Sequence, residues 1–447
     1  MENDRKPPQA AGLAARLAAF EVTRAVDGGT PWKSAWERAG ASLGRGSRDR
    51  RLAHELASGS LRLQGRLDWV LARCSTRPLA ALEPDVLALL RLGAYQILEM
   101  GGIREHAAVH TVVETAKRRV PRAAGYVNAV LRTLLRTRSA IAFPDAEREP
   151  LLWLETWGSH PRWIVERWLG RFGAEETAAL CAYDNRRPAL CLRTNRLRGD
   201  RESLLAALPG STAGTWSPDA VRAATAAYAD VRRVVEIGLA SVQDESGMLV
   251  APLLEPRPGS TLLDVAAAPG GKACHLAELQ GGVGAVFAYD RSAAKLAALR
   301  DNVVRLGLGN VVVDRADART LERPAADGVL LDAPCSGLGV LARRPDLRWR
   351  KRPDDLPRLG ALQSELLEAA ARLVRPGGLL VYSVCSFEPE ETETVVARFG
   401  AAHPEFQLDD PGLPEALRGG PGLLYFYPHR HGLDGGFAAR WRRREGG

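Results

Sequence analysis

Apolar residues recur every three or four positions along the first third of the chain, which is the spacing of one face of an α-helix. The repeat runs from about residue 10 to residue 138, and Gly and Pro occur mainly between the periodic stretches. Clear examples are Leu87, Leu90, Leu92 and Ile97, followed by Val109, Val112 and Val113. The pattern predicts an all-α domain over residues 10–140.

The helical repeat ends at IAFPDAEREP, residues 141–150, where two prolines and several charged residues indicate a linker. Residues 150–235 then combine a predicted helix with the strand-like run ALCLRTNRLRGD, so we expect a small mixed α/β segment. The predicted helix carries four tryptophans at roughly helical steps, and this spacing favours core packing: Trp153, Trp157, Trp163 and Trp168.

From about residue 261 the pattern changes to short apolar runs that alternate with amphipathic helices. The predicted strands are TLLDVAAA, GAVFAYD, VVVDRADA, DGVLLDAP and GLLVYSVC, and helices are predicted from about Gly271, over 292–306, over 360–374 and from PEETETVV. Nearly continuous apolar strands separated by helices are typical of a buried parallel sheet. The pattern therefore predicts a Rossmann-like α/β domain over residues 236–447, whose ligands lie beyond the carboxyl ends of the strands.

The first of these strands runs into APGGKACH, where Gly270 and Gly271 allow the backbone to approach a ligand closely. The loop does not match GxxxxGK[ST], because Ala266 stands at the first glycine position and Ala273 at the Ser/Thr position. GxGxxG is also absent. The loop therefore favours a nucleoside ligand over a nucleoside triphosphate or a dinucleotide.

Acidic residues lie at the ends of the next strands: Asp290, Asp317 and Asp332. Asp290 lies 19 residues beyond Gly271, the usual distance for a carboxylate that accepts hydrogen bonds from ribose hydroxyls. One such residue is usually a helix cap. Their repetition along one edge of the sheet favours a ligand site.

Charge adds an asymmetry between the ends of the chain. The chain has 447 residues and a net charge of +8. Residues 1–150 contain 24 Lys or Arg and 16 Asp or Glu, whereas residues 151–447 contain 37 basic and 37 acidic residues. A polyanion such as nucleic acid would be attracted to the first third, and the basic cluster over residues 343–352 offers a second contact.

The chain has no signal-peptide pattern and no run of about 18 apolar residues, so we expect a cytoplasmic protein without membrane association.

Two of the six cysteines occupy unusual positions. Cys335 and Cys385 each follow an apolar strand and each precede a serine, whereas we interpret the other four as buried apolar residues: Cys74, Cys181, Cys191 and Cys274. The cysteines show no CxxC metal-ligand spacing, so we expect free thiols and no metal. If their strands are neighbours, Cys335 and Cys385 lie close together at the ligand edge.

Two thiols, a nucleoside site and a basic domain together suit methyl transfer to C5 of a cytosine. A thiolate that adds to C6 makes C5 nucleophilic enough to attack the methyl group of S-adenosylmethionine. The C5 proton must then leave before the thiolate is eliminated, and a second thiol assists that release. Asp332 would hold the N3 and amino edge of the base, where charge develops during addition.

The motifs VQDESGMLVAPLL, DVAAAPGGK, DAPCSGLG, YSVCS and HGLDGGFAARW resemble the NOL1/NOP2/Sun family of RNA cytosine-C5 methyltransferases. The stretches RDRRLAHELASGSLR, HAAVHTVVETAK and AAGYVNAVLR resemble NusB, an RNA-binding antitermination factor. A NusB-like domain before this methyltransferase core is the arrangement of the Sun branch, which methylates 16S ribosomal RNA. The resemblance covers nearly the whole chain.

The resemblance implies a role for each motif residue. Cys385 would be the nucleophile, Cys335 would assist release, and Asp332 would lie near both the reacting base and the cofactor. Asp290 would bind the ribose of S-adenosylmethionine and Asp317 its adenine end. The cofactor loop would comprise Ala266, Ala267, Ala268, Pro269, Gly270, Gly271 and Lys272. Val384 departs from the pattern, which usually has Thr before the nucleophile.

Several alternatives remain open at this stage. They are a NusB-like RNA-binding or antitermination module with a silent catalytic domain, a related tRNA cytosine-C5 methyltransferase, and a Rossmann oxidoreductase. Both cysteines and Asp332 argue against the first, and the missing GxGxxG argues against the last. We expect a monomer that binds RNA through residues 10–140, with residues 150–235 as a linker or additional RNA-binding segment.

Overall fold

The fold is described from a computed structural model of the chain. It describes residues 12–446 except 45, 103, 225–227, 411 and 413, so these gaps and residues 10, 11 and 447 of the predicted domains lie outside the described residues. Internal contacts group the chain into two units: unit 1 contains residues 1–186 and 341–351, and unit 2 contains residues 187–340 and 352–447. The division into three domains at 10–140, 150–235 and 236–447 stays a prediction.

Unit 1 is built from helices, as the apolar spacing predicts. Its first nine described helices are α1 (Leu13–Asp27), α2 (Trp32–Gly40), α3 (Arg48–Arg62), α4 (Gln64–Cys74), α5 (Pro84–Glu99), α6 (Glu105–Arg119), α7 (Ala124–Thr137), α8 (Pro150–Thr156) and α9 (Arg162–Asp184). The core includes Phe20, Leu56 and Leu131. The tryptophan prediction is right for Trp168, which is buried, and wrong for Trp157, which is 40% exposed beneath the guanidinium of Arg66.

Unit 2 begins with the small mixed segment. Its elements are β1 (Leu190–Thr194), α10 (Arg201–Ala207), β2 (Thr212–Ala213), β3 (Ala220–Ala223), α11 (Tyr228–Glu236), β4 (Ala240–Val242) and α12 (Glu245–Met248). The strands form an antiparallel sheet in the order β2-β3-β1-β4. Its apolar face packs around Leu192, Leu204 and Val221. The predicted mixed α/β fold of this segment is therefore confirmed, whereas its bounds of 150–235 stay a prediction, because α8 and α9 group with unit 1 and β4 extends to Val242.

The rest of unit 2 is the predicted Rossmann-like domain. Its elements are β5 (Thr261–Asp264), α13 (Gly271–Leu279), β6 (Ala285–Asp290), α14 (Ala293–Leu306), β7 (Val311–Arg315), β8 (Ala326–Asp332), α16 (Asp355–Ala371), β9 (Val374–Val384), α17 (Glu393–Ala402), β10 (Phe406–Leu408), β11 (Arg418–Gly420), β12 (Leu423–Phe426), α18 (Pro428–His431) and β13 (Gly436–Arg443). The helix α15 (Asp346–Arg350) lies between β8 and α16 in the chain but belongs to unit 1. The parallel strands run in the order β7-β6-β5-β8-β9. Within the described residues, none of the helices is long and apolar enough to span a bilayer.

The sheet also has an antiparallel part that the sequence pattern did not predict. β13 pairs with β9 and continues the sheet into β12 and β11, while β10 pairs with the distal end of β13. β13 comes from the motif HGLDGGFAARW, and its residues Gly436–Arg440 are buried. β9 is therefore an interior strand, paired on both sides.

Residues 341–351, which lie between β8 and α16 in the chain, belong to unit 1. Arg348 from this segment is fully buried there. Its Nη1 donates to the carbonyl oxygens of Arg62 at 3.0 Å and Ser159 at 2.9 Å, and its Nη2 donates to the carbonyl oxygen of Asp184 at 3.1 Å. The prediction of a nucleic-acid contact is thus wrong for Arg348, because its guanidinium satisfies buried carbonyl groups.

We predict that Arg348→Met destabilises unit 1 by about 3 kcal/mol, because several buried carbonyl oxygens lose their donors together. Hydrogen exchange of the amides of α3 and α9, followed in the full-length protein, measures the loss. Arg344→Met is the matched control, because the side chain of Arg344 is 45% exposed and lies 4.0 Å from Asp346. Equal protection in the two variants would contradict the prediction.

Candidate active site

The carboxyl ends of the parallel strands surround a cavity of about 310 Å³. Five of the predicted cofactor residues line it: Ala266, Ala268, Asp290, Asp317 and Asp332. The side chains of Leu362 and Leu366 from α16 form an apolar part of the wall. The cavity therefore offers carboxylates for hydroxyl or amino groups and an apolar surface for a flat ring.

The remaining predicted loop residues do not line this cavity: Ala267, Pro269, Gly270, Gly271 and Lys272. Ala267 is buried, and its amide donates to the carbonyl oxygen of Tyr289 at 2.8 Å, which ties the loop to β6. Gly270 has φ +106°, and a Cβ there would overlap Leu299, so both conformation and space require glycine. These residues shape the loop and begin α13.

Asp332 is oriented by two side chains. Lys272 Nζ lies 2.6 Å from Oδ2, and the hydroxyl of Ser383 donates to Oδ1 at 2.7 Å. Burial disfavours the charge of Lys272, but the adjacent Asp332 carboxylate more than offsets this and raises the pKa of the lysine. The Asp332 side chain remains 35% exposed, so a ligand can reach it.

The structure brings the two predicted thiols together. Cys335 Sγ lies 3.1 Å from Cys385 Sγ, with Cys335 half-buried and Cys385 exposed. The hydrogen bond from Cys335 lowers the pKa of Cys385 against the effect of burial, and Lys272 contributes in the same direction. The same hydrogen bond, together with burial, raises the pKa of Cys335. These opposite pKa directions favour Cys385 as the thiolate of the pair.

Val384, where the related motifs usually have Thr, is part of the apolar core. It is 3% exposed and pairs with Phe437 on β13. The backbone after it is still fixed, because the carbonyl oxygen of Cys385 accepts a hydrogen bond from the amide of Gly339 at 3.1 Å. Val at position 384 in place of Thr therefore leaves the hydrogen bond to the Cys385 carbonyl oxygen intact.

Two of the acidic side chains differ in their charge at neutral pH. Asp317 is paired with Arg319, whose Nη2 lies 2.7 Å away, and this contact lowers the pKa of Asp317 to about 2. Burial raises the pKa of Asp264 to about 7, with the charge of Asp332 adding to the effect. Asp264 ends β5 but was not among the predicted site residues, although it belongs to the quoted motif DVAAAPGGK.

Sequence reasoning also missed the side chains that surround the thiols, namely Ser383, Ser336, Ser386 and Glu391. Ser336 and Ser386 follow the two cysteines and are buried, and Glu391 lies on a short turn after β9, fully buried. The repeated Cys-Ser pair was a usable signal for the serines. No sequence signal distinguishes Glu391 from its acidic neighbours, because the Ser336 groups that it binds lie 55 residues upstream.

Comparison with known proteins shows three regions of similarity. The family described as 16S rRNA methyltransferase RsmB/F matches residues 251–442, the NusB family matches residues 13–136, and the RsmF/B-like ferredoxin-like domain matches residues 160–228. A Bacillus subtilis protein described as a probable ribosomal RNA small subunit methyltransferase B is 37% identical over 89% of this chain and 91% of its own. The chain belongs to the RsmB/F methyltransferase family.

Further similarities extend over most of the chain. The ribosomal RNA small subunit methyltransferase B of Pseudomonas putida is 39% identical over 80% of this chain and 82% of its own. The crystal structure of PH0851 matches with a TM-score of 0.81 at 29% identity, covering 99% of this chain and 100% of its own. A methyltransferase homologue from Pyrococcus horikoshii matches with a TM-score of 0.56 at 27% identity, covering 64% and 96%.

The predicted fold class and activity are therefore confirmed. The protein is an S-adenosylmethionine-dependent RNA cytosine-C5 methyltransferase with a NusB-like helical region and a Rossmann-like catalytic domain. The cavity described above fits this cofactor, because Leu362 and Leu366 would face the adenine and Asp290 would accept hydrogen bonds from the ribose. The individual residue roles stay predictions.

We predict that Asp290→Ala weakens binding of S-adenosylmethionine by about tenfold to a hundredfold, because two ribose hydroxyls lose a charged acceptor. Calorimetry on the full-length protein measures the affinity, and NADH should give no signal with either form. Asp314→Ala is the control, because Asp314 is an exposed residue of neighbouring β7. Unchanged affinity in Asp290→Ala would exclude the ribose contact.

Proposed function

We propose that the enzyme methylates C5 of a cytosine in 16S ribosomal RNA through a covalent adduct with Cys385. The 3.1 Å separation of the two thiols, next to Asp332 at the cofactor cavity, is the observation that carries the proposal. The related proteins described as ribosomal RNA small subunit methyltransferase B support 16S ribosomal RNA as the substrate.

In the first step the Cys385 thiolate forms a bond to C6 of the cytosine, and the electron pair of the C5–C6 double bond moves toward the N3 and amino edge. Asp332 would hold that edge of the base, where charge develops during addition. Bound S-adenosylmethionine would supply the methyl group to which C5 forms a bond, and the sulfur–methyl bond that breaks would release S-adenosylhomocysteine as a neutral thioether. The C5 proton must then leave, after which the bond between Sγ and C6 breaks and the thiolate is restored.

Cys335 would accept the C5 proton as a thiolate, after releasing its own proton to solvent. In the free enzyme, its hydrogen bond to Cys385 and the negative charge on that thiolate raise the pKa of Cys335. Once Cys385 is bonded to C6 its sulfur is a neutral thioether, so this effect is removed and the pKa of Cys335 falls. Formation of the adduct thus prepares the second thiol for its own step.

The NusB-like region supports RNA as the partner through its charge. Residues 104–140 contain eight Lys or Arg against two Glu, so most of the net charge of the chain lies in this stretch. Lys117, Arg118, Arg122, Arg132 and Arg136 on or beside α6 and α7 are exposed. We propose that this basic surface of unit 1 binds phosphates of the RNA.

We predict opposite outcomes for the two thiol variants. Cys385→Ala should lose methylation and form no adduct, because C5 is never activated. Cys335→Ala should attack and transfer the methyl group but stall before elimination, which leaves protein joined to RNA. Denaturing electrophoresis with 16S ribosomal RNA and S-adenosylmethionine detects the adduct.

Cys74→Ala serves as the thiol control for this experiment, because Cys74 is a core residue of unit 1. An adduct trapped by Cys385→Ala would mean that the roles of the thiols are exchanged. Full activity of both variants would exclude the two-thiol mechanism. Equal methyl transfer to transfer RNA in the wild-type enzyme would contradict 16S ribosomal RNA as the specific substrate.

We predict that replacing Arg118, Arg122 and Arg132 together by Ala reduces the slope of log K against log salt by about 2, because fewer phosphate counterions are released. Filter binding of 16S ribosomal RNA at several salt concentrations measures the slope, and affinity for S-adenosylmethionine should not change. The control replaces three exposed arginines of unit 2: Arg233, Arg257 and Arg358. An equal loss of slope in the control would contradict a dedicated surface on unit 1.

A further inference from the structure

Both active-site cysteines precede a buried serine, and the structure shows what these serines contact. The hydroxyl oxygens of Ser336 and Ser386 lie 3.2 Å apart. The two loops that carry the thiols are therefore joined by a second contact directly behind the pair of sulfur atoms. Neither serine is accessible to a substrate, since their exposures are 1% and 0%.

The Glu391 carboxylate turns back onto the first of these loops. Its Oε1 accepts the backbone amide of Ser336 at 2.7 Å, and its Oε2 accepts the Ser336 hydroxyl at 2.5 Å. Gln363 Nε2 donates to the same Oε1 at 3.0 Å and to the carbonyl oxygen of Pro334 at 2.9 Å. The residue before Cys335 and the residue after it are thus both fixed by one buried cluster.

Glu391 is itself held in place by the strand that leads to the other thiol. The hydroxyl of Tyr382, on β9, donates to the backbone carbonyl of Glu391 at 2.6 Å. Tyr382 also lies 3.0 Å from Gln363 Oε1. The cluster therefore connects β9, which ends one residue before Cys385, with the loop of Cys335.

One hydroxyl proton joins Ser336 to both Glu391 and Ser386. A hydroxyl has one proton, and that of Ser336 goes to the charged oxygen of Glu391, which is the nearer acceptor. The Ser336 hydroxyl is also oriented toward Ser386 Oγ at 3.2 Å, so this longer contact shares the same proton. A chain of bonds consequently runs from the Cys385 loop through Ser386 and Ser336 to Glu391.

The charge of Glu391 does not favour thiolate formation. Its carboxylate is among the groups that raise the pKa of both Cys335 and Cys385, after the larger effects of their mutual hydrogen bond and of burial. A residue selected to activate the nucleophile would carry the opposite charge. The contacts of Glu391 therefore indicate a geometric role.

We propose that Glu391 is a positioning residue that keeps the Cys335 loop against Cys385 through Ser336 and Ser386. The effect of Glu391 on catalysis rests on the thiol roles proposed above. Its effect on the distance between the two thiols is independent of those roles. The two can be measured separately, because the thiol pair can be titrated without RNA or cofactor.

The test compares the wild-type enzyme with Glu391→Gln in glutathione redox buffers. Each Cys335–Cys385 pair that is oxidised consumes one glutathione disulfide and releases two glutathione thiols, and mass spectrometry of the bridged peptide gives the equilibrium constant. In Glu391→Gln one carboxylate oxygen is replaced by an amide NH2 group, which is a donor. This donor would face either a donor of Ser336 or the Nε2 donor of Gln363. We expect the effective concentration of the pair to fall about tenfold or more, the factor for about 1.4 kcal/mol.

Glu368→Gln is the matched control, because it makes the same chemical change on the exposed face of α16. Affinity for S-adenosylmethionine reports whether each variant is folded. If Glu391→Gln loses that affinity, Ser336→Ala, which removes only the hydroxyl, replaces it in the same titration. If Glu391→Gln and Ser336→Ala both fold, the double variant should lower the effective concentration by less than the two single effects combined. The reason is that both residues act through the same chain of hydrogen bonds.

An effective concentration within about twofold of the wild type in the folded variant would overturn the proposal, since this lies within the error of additivity. A fall in effective concentration together with a fall in kcat, at unchanged KM for RNA, supports it. A fall in effective concentration with unchanged kcat would support positioning by Glu391 and would contradict the two-thiol mechanism.

Discussion

The parallel pairing of β8 with β9 is the constraint on which the active site depends. In this register Asp332 lies opposite Ser383, at the point where both strands end. Cys335 follows β8 by three residues and Cys385 follows β9 by one, so the two loops leave the sheet side by side. A shift of one residue in either strand would turn the alternating side chains to the opposite faces and separate Asp332 from Ser383. Pairing of β9 with β13 on its other side holds this register.

The reactivity of the site follows from that geometry more than from its charge. Asp332 and Glu391 oppose ionisation of Cys385, and Lys272 favours it. The largest effect is the hydrogen bond from Cys335, which exists only because the two sulfur atoms lie 3.1 Å apart. The contact between the two thiols therefore lowers the pKa of Cys385 in acidic surroundings.

The helical unit takes part of its structure from the catalytic half of the sequence. The loop of Cys335 continues through Val340, and from Leu341 to Lys351 the chain belongs to unit 1. Arg348 in this segment is buried with its Nη atoms bonded to backbone carbonyl oxygens, and burial lowers its pKa to about 10 against the opposing effect of the Asp184 charge. Its role is to satisfy carbonyl oxygens. The basic residues of α6 and α7, by contrast, remain on the surface, where they can meet phosphates.

The sequence by itself determined the local helices and strands and the type of reaction, methyl transfer to a cytosine in RNA. Helical spacing in the first third, apolar runs after residue 261, and cysteines or aspartates at strand ends were sufficient to predict the parallel sheet and the thiol pair. These signals are local, because helix and strand periods and turn residues act over a few positions. Tertiary structure decided the burial of Arg348, the insertion of β13 beside β9, and the contact of Glu391 with Ser336. Each of these features depends on partners tens to hundreds of residues away. The identity of a residue does not by itself determine whether its side chain faces solvent or a buried partner.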